Sequence, residues 1–141
     1  MTNFDDIQAD FEMLDDWEDR YRYVIELGRK LQPLPVEAKN ETNKVRGCAS
    51  QVWLVSQLSG TPGGSDARLS FEGESDSHIV QGLIAILLSL TNERAPQELI
   101  ALDIQSYFNA LGLKEHLTPQ RSNGLASMIG RIQADARAAV G

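Results

Sequence analysis

The order of hydrophobic periods along this chain predicts an α+β fold, a small antiparallel β-sheet flanked by helices. Three observations carry the prediction. Apolar residues recur at helical spacing before residue 32, alternate over residues 52–73, and return to helical spacing from residue 78 onward. The length of 141 residues suits one core, so residues 1–141 are expected to form a single domain.

Each element follows from local chemistry. Phe4, Ile7, Phe11 and Leu14 mark a first helix. Trp17, Tyr21, Val24, Gly28 and Leu31 mark a second, with Asp15 and Glu18 spaced as a capping box between them. Pro33-Leu34-Pro35 ends the pair, and the polar stretch Val36 to Asn43 reads as loop. Val52, Leu54 and Leu58 share one parity, with Trp53 and Val55 on the other, which predicts a strand buried on both faces with Trp53 in the core. Thr61-Pro62-Gly63-Gly64 is a turn, and Leu69 and Phe71 lie on one face of a returning strand. Lys44 to Gly47 is expected to add a short third strand.

Ser75-Asp76-Ser77 has the composition of a helix start, with Asp76 as the expected cap. The helix it opens, His78 to Leu90, is apolar on nearly all sides and should be central to the core. Pro96 suits the first turn of another helix, Ile104 to Leu111 gives a further short one, and Thr118-Pro119 opens the last. Leu125, Met128, Ile129, Ile132 and Ala136 form the apolar stripe of that helix.

Composition excludes several classes. Twenty acidic residues against thirteen Lys and Arg give a net charge of −7, which disfavours general phosphate-backbone binding, so no nucleic-acid partner is expected. The opening Met1-Thr2-Asn3-Phe4-Asp5-Asp6 lacks the apolar core of a secretory signal. The run Ile79 to Leu90 is too short to span a bilayer, so no membrane association is expected. With a single cysteine, an internal disulfide is impossible, and the expected location is the cytoplasm. One Cys and two distant histidines, His78 and His116, do not make the ligand set of a zinc or iron–sulfur site, so no metal is expected. Gly60-Thr61-Pro62-Gly63-Gly64 lacks the Lys-Ser/Thr ending of a phosphate-binding loop.

The chemistry that remains centres on Cys48. It follows Gly47 on a predicted turn leading into the first strand, where another molecule can approach it. Lys44 and Arg46 stand close in sequence and would favour the thiolate. The plain alternative is an inert, buried Cys48, because free cysteine is among the most buried residue types.

The segment Arg46-Gly47-Cys48-Ala49-Ser50-Gln51-Val52-Trp53 resembles the Gly-Cys-x-Ser-Gln-Val-Trp signature of the SufE family, sulfur acceptors that work with cysteine desulfurases in iron–sulfur cluster assembly. Trp17-Glu18-Asp19-Arg20-Tyr21 and Ile25-Glu26-Leu27-Gly28 resemble the family's N-terminal helix. Gly73-Glu74-Ser75-Asp76 and Ile79-Val80-Gln81-Gly82-Leu83-Ile84-Ala85 resemble the entry to its central helix. Leu117-Thr118-Pro119-Gln120-Arg121-Ser122-Asn123-Gly124-Leu125 resembles its Leu-Thr-Pro-x-Arg-Ser-x-Gly-Leu motif. The likeness runs in order over roughly residues 10 to 139.

The resemblance implies a SufE/IscU-like fold with the cysteine at a loop tip, and it assigns the reacting role to Cys48. The thiolate would take the outer sulfur of a desulfurase persulfide and carry it, with no independent turnover of its own. It implies a SufS-like or CsdA-like cysteine desulfurase as partner, and a downstream iron–sulfur scaffold or other sulfur acceptor. Pyridoxal phosphate would belong to the desulfurase, and no cofactor is expected here. Gly47, Gln51, Asp76 and Arg121 are the matched residues expected to position the loop or meet the partner; Gly124 is a backbone permission. Two other classes compete: an iron–sulfur scaffold, against which the single cysteine speaks, and a desulfurase-binding module in which Cys48 is inert.

Overall fold

A computed structural model describes residues 3–140 of the chain. Met1 and Thr2 of the acidic opening, and Gly141 at the end of the expected domain, lie outside the described residues. The elements are α1 (Phe4–Met13), α2 (Trp17–Arg29), β1 (Val52–Ser59), β2 (Arg68–Ser75), α3 (His78–Thr91), α4 (Pro96–Ala101), α5 (Ile104–Ala110), α6 (Leu113–His116) and α7 (Pro119–Val140). The α+β layout is as expected, with one antiparallel hairpin as the sheet.

Helix starts follow side-chain capping. The Asn3 carboxamide oxygen accepts the Asp6 N–H at 2.9 Å and opens α1. Asp16, not Asp15, caps α2, accepting the Glu18 N–H at 2.8 Å. The Arg20 guanidinium then donates to the carbonyls of Leu14 (2.8 Å) and Phe11 (2.9 Å), satisfying acceptors at the end of α1 and locking the α1–α2 corner. The three-residue 3₁₀ turn Val36–Ala38 is the only regular structure between α2 and β1 among the described residues.

α3 is the central element. Leu83, Ile84, Ile86 and Leu87 are fully buried, as an all-round apolar helix requires. α2 lies directly against it. A Cβ at Gly82 would sit 2.1 Å from the Val24 carbonyl oxygen, and one at Gly28 would sit 2.6 Å from the Gly82 nitrogen. The two helices therefore touch backbone to backbone.

The hairpin runs in register from Val52↔Ser75 to Ser59↔Arg68. Val52, Leu54, Leu69, Phe71 and Gly73 are buried. Burial of β1 on both faces is not observed. Residues 56–59 are exposed, and Trp53 is half-buried beneath the Lys39 ammonium, 5.7 Å from the ring centroid, rather than in the core. The expected third strand reduces to one bridge, Lys44↔Trp53, supported by Val45 N–H to Val52 O at 2.8 Å. The chain cannot continue as a strand because Gly47 turns it at φ 89°.

Glu74 ties the loop after α2 to the sheet. Its carboxylate accepts the Leu34 N–H at 2.8 Å and pairs with Lys39. Burial pushes this carboxyl up, but the Lys39 ammonium and the Leu34 N–H together outweigh burial and hold it below the usual carboxylate range. Its stabilisation is therefore present above the unfolded-state value near ~4.3 and is lost as pH falls through the lower folded value. Glu74→Gln is expected to cost about 1–2 kcal/mol at neutral pH. Denaturation curves of variant and wild type should converge in acid; a gap independent of pH would contradict this.

α6, one turn long, has no counterpart in the sequence reading; it starts where Gly112 reverses the chain at φ 76°. No helix of the described residues is long and apolar enough to cross a membrane.

Candidate functional site

The Cys48 loop is held at three points. Val45 anchors it in the core. Gly47 then adopts the left-handed conformation that only glycine takes at no steric cost, and a Cβ there would lie 2.6 Å from the Ser127 hydroxyl oxygen on α7. Beyond the cysteine, the Gln51 N–H donates to the Asp76 carboxylate at 3.0 Å and the Asp76 N–H donates back to the Gln51 carbonyl at 3.3 Å. This reciprocal pair clasps the loop to the start of α3.

Asp76 is thus not the helix cap. Ser77 holds that position, its hydroxyl accepting the Val80 N–H at 3.4 Å, because the Asp76 side chain is turned toward Gln51. Gln51 contributes through its backbone; its carboxamide makes no hydrogen bond among the described residues.

Between these anchors the Cys48 thiol is half-buried and donates weakly to the Gly124 carbonyl, S···O 3.5 Å. A Cβ at Gly124 would make only ordinary contact with the cysteine, at 3.6 Å from Sγ, so this glycine is not sterically obligatory. The thiol opens into a cavity of about 200 Å³ whose lining includes Ser50, Val80, Arg121, Leu125 and Met128. Arg121 is exposed and in no ion pair among the described residues; its own N–H donates to the Thr118 hydroxyl at 3.2 Å, starting α7. Neither histidine lines the cavity, and His116 instead stacks on Trp17 at 3.7 Å. Val80, Leu125 and Met128 were legible only as core positions; nothing in their spacing pointed to the cysteine.

The expected thiolate-favouring effect of Lys44 and Arg46 is not observed. Arg46 pairs with Glu41 at 2.9 Å on the surface, and burial pushes the Cys48 thiol up from its ordinary value. In the free protein, Cys48 should therefore alkylate more slowly than an unfolded thiol near neutral pH, with a rate that keeps rising at pH above the ordinary thiol value of about 8.5. A pH profile superimposable on that of free cysteine would contradict this.

The clasp gives a second expectation. Asp76→Ala removes the acceptor for Gln51 while Ser77 still caps α3, so Cys48 should label about threefold or more faster, with a melting-temperature change of only a few degrees. Unchanged labelling with a large loss of stability would show that Asp76 serves the fold alone.

The fold and site define an α+β protein that presents one thiol, half-sheltered, at a glycine turn beside two helix starts. The family model described as SufE, Fe-S metabolism associated domain, matches residues 5–136, and the chain belongs to the SufE family. Two relatives described as uncharacterized SufE-like proteins agree. One, from Rhizobium meliloti (strain 1021), is 52% identical over 136 residues, covering 96% of this chain and 96% of its own. The other, from Rhizobium etli, is 53% identical over 137 residues, covering 97% of this chain and 91% of its own. The fold is also shared with the solution structure of a hypothetical protein from Thermus thermophilus, with a TM-score of 0.74 at 20% identity over 97% of this chain and 95% of that one. Membership places the protein in iron–sulfur metabolism.

Proposed function

We propose that the protein accepts sulfur from a pyridoxal-phosphate-dependent cysteine desulfurase and carries it as a persulfide on Cys48 to a scaffold or other acceptor in iron–sulfur cluster assembly. The observation that carries this reading is the Cys48 thiol itself, half-exposed at a glycine turn and opening into its own cavity. Family membership supports the pathway.

The transfer is an exchange at a sulfur–sulfur bond. The Cys48 thiolate attacks the outer sulfur of the desulfurase persulfide. The bond between the two desulfurase sulfurs breaks, and its electron pair leaves with the desulfurase cysteine as thiolate. The new bond joins the Cys48 sulfur to that outer sulfur, giving Cys48–S–SH, and no external oxidant or reductant is consumed. The raised thiol value keeps Cys48 protonated at rest, which limits side reactions; docking must then move the loop outward and expose the thiol. In this reading Gly47, at φ 89°, is the hinge of that movement, and Arg121, which lines the cavity, is the residue that meets the partner. The same reading places the protein in a reducing compartment, the cytoplasm.

A scaffold role needs several ligands. Among the described residues, no group of three or more His, Cys, Asp or Glu stands close enough to hold an ion.

The test is desulfurase turnover measured with and without the protein. Wild type should stimulate sulfide or alanine production, whereas Cys48→Ser should bind the desulfurase and leave turnover at its basal rate. Full stimulation by Cys48→Ser would overturn the carrier mechanism.

A further inference from the structure

One face of α7 runs alongside the segment that leads to Cys48. Gly124, Ser127 and Arg131 stand three and four residues apart, so they share that face. Each meets the segment further from the cysteine than the last. The Gly124 carbonyl accepts the Cys48 thiol at 3.5 Å. The Ser127 hydroxyl oxygen lies 2.6 Å from where a Gly47 Cβ would stand. Arg131 reaches the root of the loop, donating to the carbonyls of Thr42 (3.0 Å) and Lys44 (3.4 Å). Loop and helix thus run antiparallel over about two turns of α7.

Sheet pairing explains what this guanidinium supplies. Around the Lys44↔Trp53 bridge, the Asn43 carbonyl accepts the Leu54 N–H at 2.9 Å and the Val45 N–H donates to the Val52 carbonyl at 2.8 Å. Strand alternation turns the Lys44 carbonyl the other way, away from β1. Among the described residues, Arg131 is the only donor to it and to the Thr42 carbonyl. Asp135, one turn further along α7, accepts from Arg131 Nε at 3.3 Å. Its other oxygen, Oδ2, is buried and has no partner among the described residues, so this carboxylate binds Arg131 alone. An unsatisfied buried oxygen costs stability. What it secures is aim: with Nε taken by Asp135, both terminal nitrogens are turned to the loop.

We propose that Arg131, oriented by Asp135, is a positioning residue for sulfur transfer at Cys48, an inference that rests on the carrier reading. Arg131 fixes the root of the loop at Thr42 and Lys44, as the Asp76 clasp fixes its far end at Gln51. Outward movement is then confined to the residues between the two holds, Gly47 among them, and the thiol swings out along one path. Without Arg131 the loop leaves α7 from its root, and the thiol is exposed in many orientations. Exposure and aim thereby separate. A small alkylating agent needs only access, whereas attack on a persulfide needs the thiolate in line with the sulfur–sulfur bond.

The test compares wild type, Arg131→Ala, Arg131→Lys and Asp135→Ala in two assays, at a temperature where each is folded. In the first, the free protein reacts with iodoacetamide. Arg131→Ala should alkylate about threefold or more faster than wild type, because the loosened loop opens more often. In the second, a cysteine desulfurase preloaded with persulfide delivers sulfur in a single turnover over a range of carrier concentrations. The Arg131→Ala rate at saturation should fall about fivefold or more, with the half-saturating concentration within about twofold of wild type. Arg131→Lys keeps the charge but cannot bridge two carbonyls and Asp135, so it should recover part of the rate. Asp135→Ala should fall between wild type and Arg131→Ala in both assays. If Arg131→Ala does not fold, Arg131→Lys and Asp135→Ala decide by the same signs. The inference is overturned if alkylation is unchanged or if transfer at saturation keeps the wild-type rate. A change in melting temperature and half-saturating concentration alone would also overturn it, assigning Arg131 to the fold and to docking. Alkylation needs no desulfurase. A wild type that gains no sulfur would therefore defeat the carrier reading, while the alkylation rates still decide whether Arg131 holds the loop.

Discussion

Gly82→Ala is expected to lower the stability of the protein by about 3 kcal/mol, toward the upper end for inserting a methyl group into a packed interior. The added carbon would stand 2.1 Å from the Val24 carbonyl oxygen and 2.5 Å from the Val24 side chain. The first obstacle is backbone, so no rotamer change relieves it and α2 must move away from α3. That contact belongs to the helix carrying Leu83, Ile84, Ile86 and Leu87, so displacement disturbs the whole core. For a chain of this size the loss corresponds to about 10 °C in melting temperature. Gly130→Ala is the matched control, because a Cβ there meets nothing within 4 Å. Replacing an exposed helical glycine by alanine should leave stability equal or slightly raised. Thermal unfolding of the two variants checks the claim; equal melting temperatures would mean that the helices do not touch through Gly82.

The second large effect is on chemistry. Gly47→Val is expected to slow single-turnover sulfur transfer about tenfold or more while changing desulfurase affinity much less. A β-branched residue at φ 89° costs about 1–3 kcal/mol of backbone strain. The clash with the Ser127 hydroxyl, at 2.6 Å, adds to it, although that oxygen sits on a side chain and can rotate away. The loop would relieve the strain by leaving its observed path and misplacing Cys48 relative to an incoming persulfide. Asn tolerates the left-handed region, so Gly47→Asn should recover part of the rate. Transfer at the wild-type rate in Gly47→Val would remove Gly47 as the hinge.

Much of this was legible in the sequence, for reasons that differ by element. The core helix was readable because Ile79 to Leu90 is apolar on almost every face, a pattern only a buried helix tolerates. The hairpin was readable from Thr61 to Gly64, where turn chemistry interrupts two alternating runs. Cys48 stood out because a lone thiol beside Gly47 is unusual, and the glycine does hold the left-handed turn expected of it.

What escaped is what long-range geometry decides. Asp76 and Ser77 are both good caps, and only the proximity of Gln51, distant in sequence, draws Asp76 away. Trp53 has the composition of a core residue, yet the neighbour over its ring is the Lys39 ammonium. Lys44 and Arg46 are near Cys48 in sequence, but Arg46 turns to Glu41, and burial dominates the thiol.

The central claim is that Cys48 carries sulfur covalently. The most direct measurement is the intact mass of the protein after incubation with a cysteine desulfurase and L-cysteine, without reductant. The account predicts a gain of about 32 Da on wild type, located at Cys48 and reversed by reducing thiols, and no gain on Cys48→Ser. An unchanged wild-type mass under conditions where the desulfurase itself is loaded, or the same gain on Cys48→Ser, would contradict it.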